Sequence, residues 1–146
     1  GKGLWDAIWG FVALDADYVV QGVFFDHKGE TPGLGANIKE RFFMDDFTGE
    51  KLFDADNNFV GITAAKGNAD PKNDNKDDNE VDAIAGATIT GDGVSAMLKS
   101  DLRLYVPYFQ KLKNISVDSI FGGSKFSNSK NYRILVRVDY TIGMIR

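Results

Sequence analysis

The feature that most constrains how this chain can fold is a short run of small residues that leads directly into an amphipathic helix. Residues 82–93 read DAIAGATITGDG, and the apolar residues after them recur at helical spacing as far as Val106. Pro107 cannot continue a helix, because its ring clashes with the preceding turn. The sequence therefore predicts a helix over residues 92–105, the longest in the chain, with Thr88 and Thr90 on the turn before it.

The start of such a helix can bind an anion. Its first backbone N–H groups are unpaired and lie at the positive end of the helix dipole, and small residues let a ligand approach them closely. A phosphate group would be well held there. A plainer interpretation is that Thr88, Thr90 or Asp92 is only an N-cap, and caps are much commoner than phosphate sites. The segment is not a P-loop, because no lysine follows its glycines.

Three segments of the sequence resemble the FMN-binding domain family. The family's flavinylation motif, D-x-x-[S/A]-G-A-T-x-T, is matched by Asp82, Gly86, Ala87, Thr88 and Thr90. Residues 27–35, HKGETPGLG, are similar to its ETPGLG loop, and the opening GKGLWDAIWGFVALD is similar to the same family. The resemblance covers roughly residues 1–112 and extends to the C subunits of Na+-translocating NADH:quinone oxidoreductases. Ala85 stands where many of these proteins have serine.

The resemblance implies a covalent cofactor site but no catalytic residue and no metal ligand. In this family FMN is attached through a phosphoester bond to the last threonine of the motif, here Thr90. Leu34 is expected to back the flavin ring, and Asp82 to position the turn through backbone hydrogen bonds or to assist the attaching enzyme. Trp5 is either a core residue or a neighbour of the ring. The other residues expected at the cofactor are Glu30, Thr31, Gly33, Gly86, Ala87, Thr88 and Ile89.

The resemblance also implies a function, that of an electron carrier within a membrane-bound NADH:quinone reductase. The expected partners are the other subunits of that complex and a flavin transferase that attaches FMN. An N-terminal helix outside this chain would anchor the protein in the bacterial inner membrane, with this domain on the periplasmic side. One alternative is the G subunit of an Rnf-type complex, or the flavin domain of another membrane reductase. An alternative of a different class is a non-redox binding module, in which GATIT is a helix cap and ETPGLG a turn.

Composition excludes several other classes of function. The chain has no cysteine and one histidine, His27, which rules out iron–sulfur clusters, zinc fingers and disulfide scaffolds. A redox role would therefore need an organic cofactor. His27 itself is expected to be a surface or capping residue. The net charge of −4 makes a nucleic-acid partner unlikely, and no apolar run approaches the roughly 20 residues of a membrane span.

Hydrophobic patterning predicts an α+β fold, with a twisted, mainly antiparallel sheet and packed helices. Two β-hairpins are expected, over residues 11–25 and 51–65, with a short helix within residues 36–47 and a solvated, mobile loop over residues 67–80. Residues 1–113 are predicted to form the FMN-binding domain and residues 114–146 a C-terminal extension. The extension contains the most regular alternation in the chain, from Tyr132 to Ile142, which predicts a strand added to this sheet or to a neighbouring molecule's.

Overall fold

The computed structural model describes residues 1–114 and 134–139. Its elements follow the chain as β1 (Ile8–Leu14), β2 (Val20–His27), a 3₁₀ helix (Gly35–Lys39), α1 (Arg41–Asp46), β3 (Thr63–Ala65), β4 (Glu80–Asp82), α2 (Thr88–Arg103), α3 (Val106–Asn114) and β5 (Ile134–Asp139). The predicted α+β class with an antiparallel sheet is confirmed. None of the helices within these residues is long and apolar enough to span a membrane.

The main sheet has three antiparallel strands in the order β2-β1-β5. Alternate residues of β1, such as Val12 and Leu14, point into the core, as the period-2 pattern requires. The predicted hairpin over residues 11–25 is therefore present as β1 and β2. The strand predicted in the C-terminal extension is present as β5, which buries Val136 and Val138 in this molecule. The remainder of that prediction, Tyr132 to Arg133 and Tyr140 to Ile142, lies outside the described residues.

The second predicted hairpin, over residues 51–65, is present only around its turn, where the backbone N–H of Asp54 donates to the carbonyl oxygen of Asn58 at 2.9 Å. One isolated bridge joins Phe53 to Phe59, but β3 pairs in parallel with β4. The chain turns away at Gly61, whose φ of 76° is a left-handed conformation that suits glycine. The backbone N–H of Ala64 then donates to Ser95 Oγ on α2, at 2.8 Å. This contact holds β3 against α2 instead of against its neighbour in sequence.

Helix α2 is the longest helix of the described residues, as predicted, but it begins four residues earlier than Asp92. Gly91 and Gly93 both lie inside it, and Gly93 is needed there because the N-terminal segment packs closely against it. A Cβ atom at Gly93 would lie 2.1 Å from the carbonyl oxygen of Lys2. The buried face of α2 contributes Val94, Met97, Leu98 and Leu102 to the core.

The polar segment over residues 67–80 is tied to the domain at several points, in contrast to the fully solvated loop that was expected. Asn73 is buried, and its amide donates to the backbone oxygen of Asp46 at 2.5 Å and to Glu50 Oε1 at 3.0 Å. Lys76 also reaches inward, 3.4 Å from Glu50 Oε1. Buried polar groups need such partners, so Glu50 and Asn73 together anchor this segment.

Candidate functional site

A cavity of about 250 Å³ lies where the start of α2 meets the loop after β2. Three segments that are distant in sequence enclose it: the N-terminal residues, the loop over residues 30–35 and the motif over residues 86–90. Its lining residues are Leu4, Glu30, Thr31, Leu34, Gly35, Gly86, Ala87, Thr88, Ile89 and Thr90. The segment over residues 27–35, which resembles the family's ETPGLG loop, therefore lies beside the start of α2.

Glu30 joins all three segments at the bottom of this cavity. It is buried, and its Oε2 accepts a hydrogen bond from the hydroxyl of Thr90 at 2.6 Å. The same carboxylate accepts the backbone N–H groups of Leu4, Trp5 and Asp6 at 3.2, 2.9 and 3.2 Å. The resemblance placed Glu30 at the cofactor, but no local pattern shows that its carboxylate is the common partner of these groups.

The charge on Glu30 follows from these contacts. Burial raises its pKa, but the hydrogen bonds from Thr90 and from the backbone N–H groups of Trp5, Asp6 and Leu4 outweigh burial, so the pKa lies below its ordinary value. Gly35 leaves the space that the contact between Glu30 and Thr90 needs. A Cβ atom there would lie 2.5 Å from both Glu30 Oε2 and Thr90 Oγ1.

The loop over residues 31–36 is a compact turn that presents an apolar side chain to the motif. The backbone N–H groups of Leu34 and Ala36 both donate to the carbonyl oxygen of Thr31 at 3.1 Å, and Gly33 supplies a φ of 77°. Leu34 is 41% exposed and faces the motif, since a Cβ atom at Gly86 would lie 2.9 Å from its Cδ2. Leu34 thus forms one wall of the cavity.

The interpretation of the motif threonines as N-caps is wrong. The N-cap residue of α2 is Ala87, and no side chain in the described part of the chain caps the helix. The first turn contains no acidic residue. Thr88 is exposed in that turn, Thr90 is 1% exposed, and Asp92 lies further along the helix. The positive end of the helix dipole is therefore open to an anion at the cavity.

The structure brings most of the expected site residues together, with three exceptions. Gly33 and Asp82 line a neighbouring cavity of about 430 Å³. The carboxylate of Asp82 accepts no backbone hydrogen bond within the described residues, and its expected roles, in positioning the turn or in assisting the attaching enzyme, stay predictions. Trp5 is 68% exposed, which excludes it from the core, and only its backbone N–H reaches the site, through Glu30.

Leu4 and Gly35 line the cavity although neither was among the expected cofactor residues. Leu4 belongs to the opening GLW, which resembles the family, but no local pattern marks it as a lining residue. His27 has a capping role, as expected: its Nδ1 accepts the backbone N–H of Glu30 at 3.2 Å.

The residues around the cavity fit a flavin mononucleotide. Leu4, Leu34 and Ile89 are 43%, 41% and 57% exposed, an apolar surface on which a flat ring can pack. The uncapped start of α2 and the hydroxyl of Thr90 lie at the same cavity and suit a phosphate. Among the described residues, no group of acidic or histidine side chains is arranged to hold a metal ion.

Comparison with known proteins agrees with this geometry. The C subunit of the Na(+)-translocating NADH-quinone reductase of Pasteurella multocida is 38% identical over 119 residues, which are 77% of this chain and 42% of that protein. Its counterpart in Neisseria meningitidis serogroup A is 35% identical over 117 residues, 78% of this chain and 43% of that protein. The chain thus spans less than half the length of these relatives.

Two crystal structures have a similar fold. The C subunit of the same reductase from Parabacteroides distasonis matches with a TM-score of 0.66 and 38% identity, over 75% of this chain and 53% of that chain. Shewanella oneidensis NqrC matches with a TM-score of 0.64 and 32% identity, over 79% of this chain and 52% of that chain. The sequence profile of the FMN-binding domain matches residues 3–103, which include the cavity and the motif. This chain belongs to the FMN-binding domain family.

Proposed function

We propose that this domain carries FMN, joined through a phosphoester bond to Thr90, and serves as an electron carrier in a Na+-translocating NADH:quinone reductase. The observation that carries the proposal is the position of Thr90. Its hydroxyl lines a cavity at the uncapped start of α2, with apolar side chains at the rim. A phosphodiester formed there keeps one negative charge, which the N–H groups and dipole of α2 stabilise.

Thr90 is favoured over Thr88 by its surroundings as well as by its place in the motif. Thr88 is exposed, whereas the Thr90 hydroxyl is held in one direction by Glu30 at 2.6 Å. A fixed hydroxyl is better prepared for attack on a phosphorus atom than a freely rotating one. Because Thr90 is 1% exposed, attachment requires the loop over residues 31–35 to move aside.

The redox chemistry belongs to FMN when it is bound, and the chain supplies position and surroundings. Leu4, Leu34 and Ile89 shield part of the ring from water, while the open cavity mouth leaves an edge for electron exchange. The tether at Thr90 prevents loss of the cofactor by dissociation. No acid or base of the chain is needed for electron transfer itself.

The relatives support the proposed place in a larger complex. Those compared above are C subunits of Na(+)-translocating NADH-quinone reductases, which favours this assignment over an Rnf-type G subunit. We propose that the other subunits of such a complex, and a flavin transferase, are the partners of this domain. A membrane helix upstream of residue 1 would place it on the periplasmic side of the inner membrane.

The test is coexpression of the chain with a flavin transferase, followed by denaturation, desalting and a visible spectrum. Flavin absorbance is expected to survive in the wild-type chain and in Thr88→Ala, and to be absent in Thr90→Ala. Absorbance that persists in Thr90→Ala, or that is lost only in Thr88→Ala, would move the attachment site. A wild-type chain without flavin would favour the non-redox binding module.

A further inference from the structure

We propose that Glu30 directs the Thr90 hydroxyl at the incoming phosphorus atom and takes the hydroxyl proton as the phosphoester forms. The proposal rests on the proposed function, because it concerns how the Thr90 ester is made. It assigns a chemical role within this chain, rather than in the transferase, to a carboxylate that the resemblance placed only near the cofactor.

The geometry is that of a hydroxyl nucleophile and its proton acceptor. Glu30 Oε2 lies 2.6 Å from Thr90 Oγ1, within the range in which a general base acts. Three backbone N–H groups, from Leu4, Trp5 and Asp6, hold the carboxylate in place. Both residues line the cavity, so the reacting oxygen and its acceptor meet at the place where a phosphate would enter.

The neighbouring titratable groups are not in a position to replace Glu30. His27 Nδ1 already accepts the backbone N–H of Glu30, and the carboxylate of Asp6 accepts the N–H of Ala7 at 2.7 Å and pairs with Lys28. Burial raises the pKa of Glu30, but its hydrogen bonds lower the pKa by a larger amount. The carboxylate is therefore charged and able to accept a proton near neutral pH.

The step balances if the donor is a flavin dinucleotide, in which the FMN phosphate is joined to a nucleotide through a pyrophosphate. The Thr90 Oγ1–P bond forms, the P–O bond of the pyrophosphate breaks, and the nucleotide monophosphate leaves. The hydroxyl proton moves to Glu30 Oε2, and no electrons are exchanged. Carboxylates accept hydroxyl protons in this way in other phosphoryl transfers, where an aspartate faces the attacking hydroxyl.

The product state gives a second reason for the proton to reach Glu30. After transfer, a phosphodiester with a negative charge is attached to the oxygen that Glu30 contacts. Two negative charges at this separation in a buried site repel strongly, and one carboxylate relieves the repulsion by holding a proton. A protonated Glu30 can donate a hydrogen bond to the ester.

The first test compares Glu30→Gln with the control Glu40→Gln, whose side chain is exposed. Purified apo chains are incubated with a flavin transferase and flavin dinucleotide, and the rate of the mass increment is followed on the intact chain. Glu30→Gln is expected to slow attachment by about 100-fold or more, the usual effect of losing a general base, and Glu40→Gln to leave the rate unchanged. Circular dichroism and thermal melting establish that both variants are folded.

Equal rates for a folded Glu30→Gln and the wild-type chain would overturn the proposal and leave the proposed function intact. An absence of any increment in the wild-type chain would instead overturn the proposed function, and this proposal with it.

A second test uses only the wild-type chain, so it can be made even if Glu30→Gln does not fold. The pKa of Glu30 is measured from the ¹³C chemical shift of its carboxyl carbon, in the apo chain and in the flavin-carrying chain. The proposal expects the pKa to lie below 4.5 without flavin and above 4.5 with it. A value that stays below 4.5 in both states would overturn it.

Discussion

Glu30 Oε2 and Thr90 Oγ1 lie 2.6 Å apart, although sixty residues separate them in the sequence. This contact joins the loop after β2 to the start of α2 at the base of one cavity. It connects the motif to the 27–35 loop, both of which resemble the FMN-binding domain family, so the two act as parts of one site. The predictions below test that site and the domain that supports it.

Gly35→Ala is expected to disrupt the contact between Glu30 and Thr90. The added Cβ would lie 2.5 Å from both side-chain oxygens, and overpacking of this kind costs about 1–3 kcal/mol of unfolding free energy. Urea denaturation measures the cost, and intact mass measures the accompanying loss of flavin attachment. Gly22→Ala is the control, because its Cβ would meet no atom within 4 Å. Equal stability and attachment in the two variants would show that the contact is not maintained in solution.

Leu34→Ala is expected to expose the attached flavin to water without unfolding the domain. Leu34 lines the cavity but is 41% exposed, so its removal should change the melting temperature little. Quenching of flavin fluorescence by iodide should increase, whereas Leu104→Ala, at a residue 79% exposed and outside the cavity lining, should leave quenching unchanged. Unaltered quenching in Leu34→Ala would place the ring elsewhere.

Val138→Ala is expected to destabilise the domain if β5 packs on it in solution. Val138 is fully buried, and its truncation should cost about 2 kcal/mol of unfolding free energy. Leu135→Ala on the same strand should cost little, because Leu135 is 69% exposed. Chemical denaturation measures the unfolding free energy of both variants. Equal, small effects would indicate that the C-terminal extension does not belong to this sheet.

The unfolding free energy of the domain is expected to depend on pH through Glu50. Burial raises the pKa of this carboxyl above its ordinary value of 4.5, and Asp78 raises it further, against the opposing effects of Lys76 and Asn73. Between the unfolded and folded pKa values the folded chain binds more protons, so the contribution of Glu50 to stability falls as the pH rises through that window.

The corresponding measurement is the unfolding free energy of Glu50→Gln and the wild-type chain from pH 4 to pH 8. Glu50→Gln should lack this contribution, so its stability relative to the wild-type chain should increase with pH. Asp46, whose pKa burial also raises, is present in both chains and cancels in the comparison. A difference that is constant with pH would contradict the prediction.

The sequence predicts the regular elements where a local period determines burial. The hairpin of β1 and β2 and the strand β5 follow from alternation with period 2, and α2 follows from helical spacing. The start of α2 could not be predicted in this way. Gly91 and Gly93 resemble a turn locally, but the backbone of Lys2 packs against Gly93 and leaves no room for a Cβ atom, so glycine fits there inside a helix.

The other wrong predictions concern residues that pair with partners far away in the sequence. Thr63–Ala65 pairs in parallel with Glu80–Asp82 across a long polar segment, and no local pattern specifies that register. The contacts within the candidate site could not be predicted from local sequence patterns either. The resemblance selected residues of the loop and the motif, but the carboxylate that connects them to the N-terminal segment is evident only once the fold brings residues 4–6, 30 and 90 together.

The most direct test of the central claim is to locate the flavin on the chain after coexpression with a flavin transferase. Trypsin should release residues 77–99 as one peptide, which contains both Thr88 and Thr90. Fragment ions that retain the modification then distinguish the two threonines. The account predicts an increment of FMN less one water on Thr90. An increment on Thr88, or an unmodified peptide from a chain that was exposed to active transferase, would contradict it.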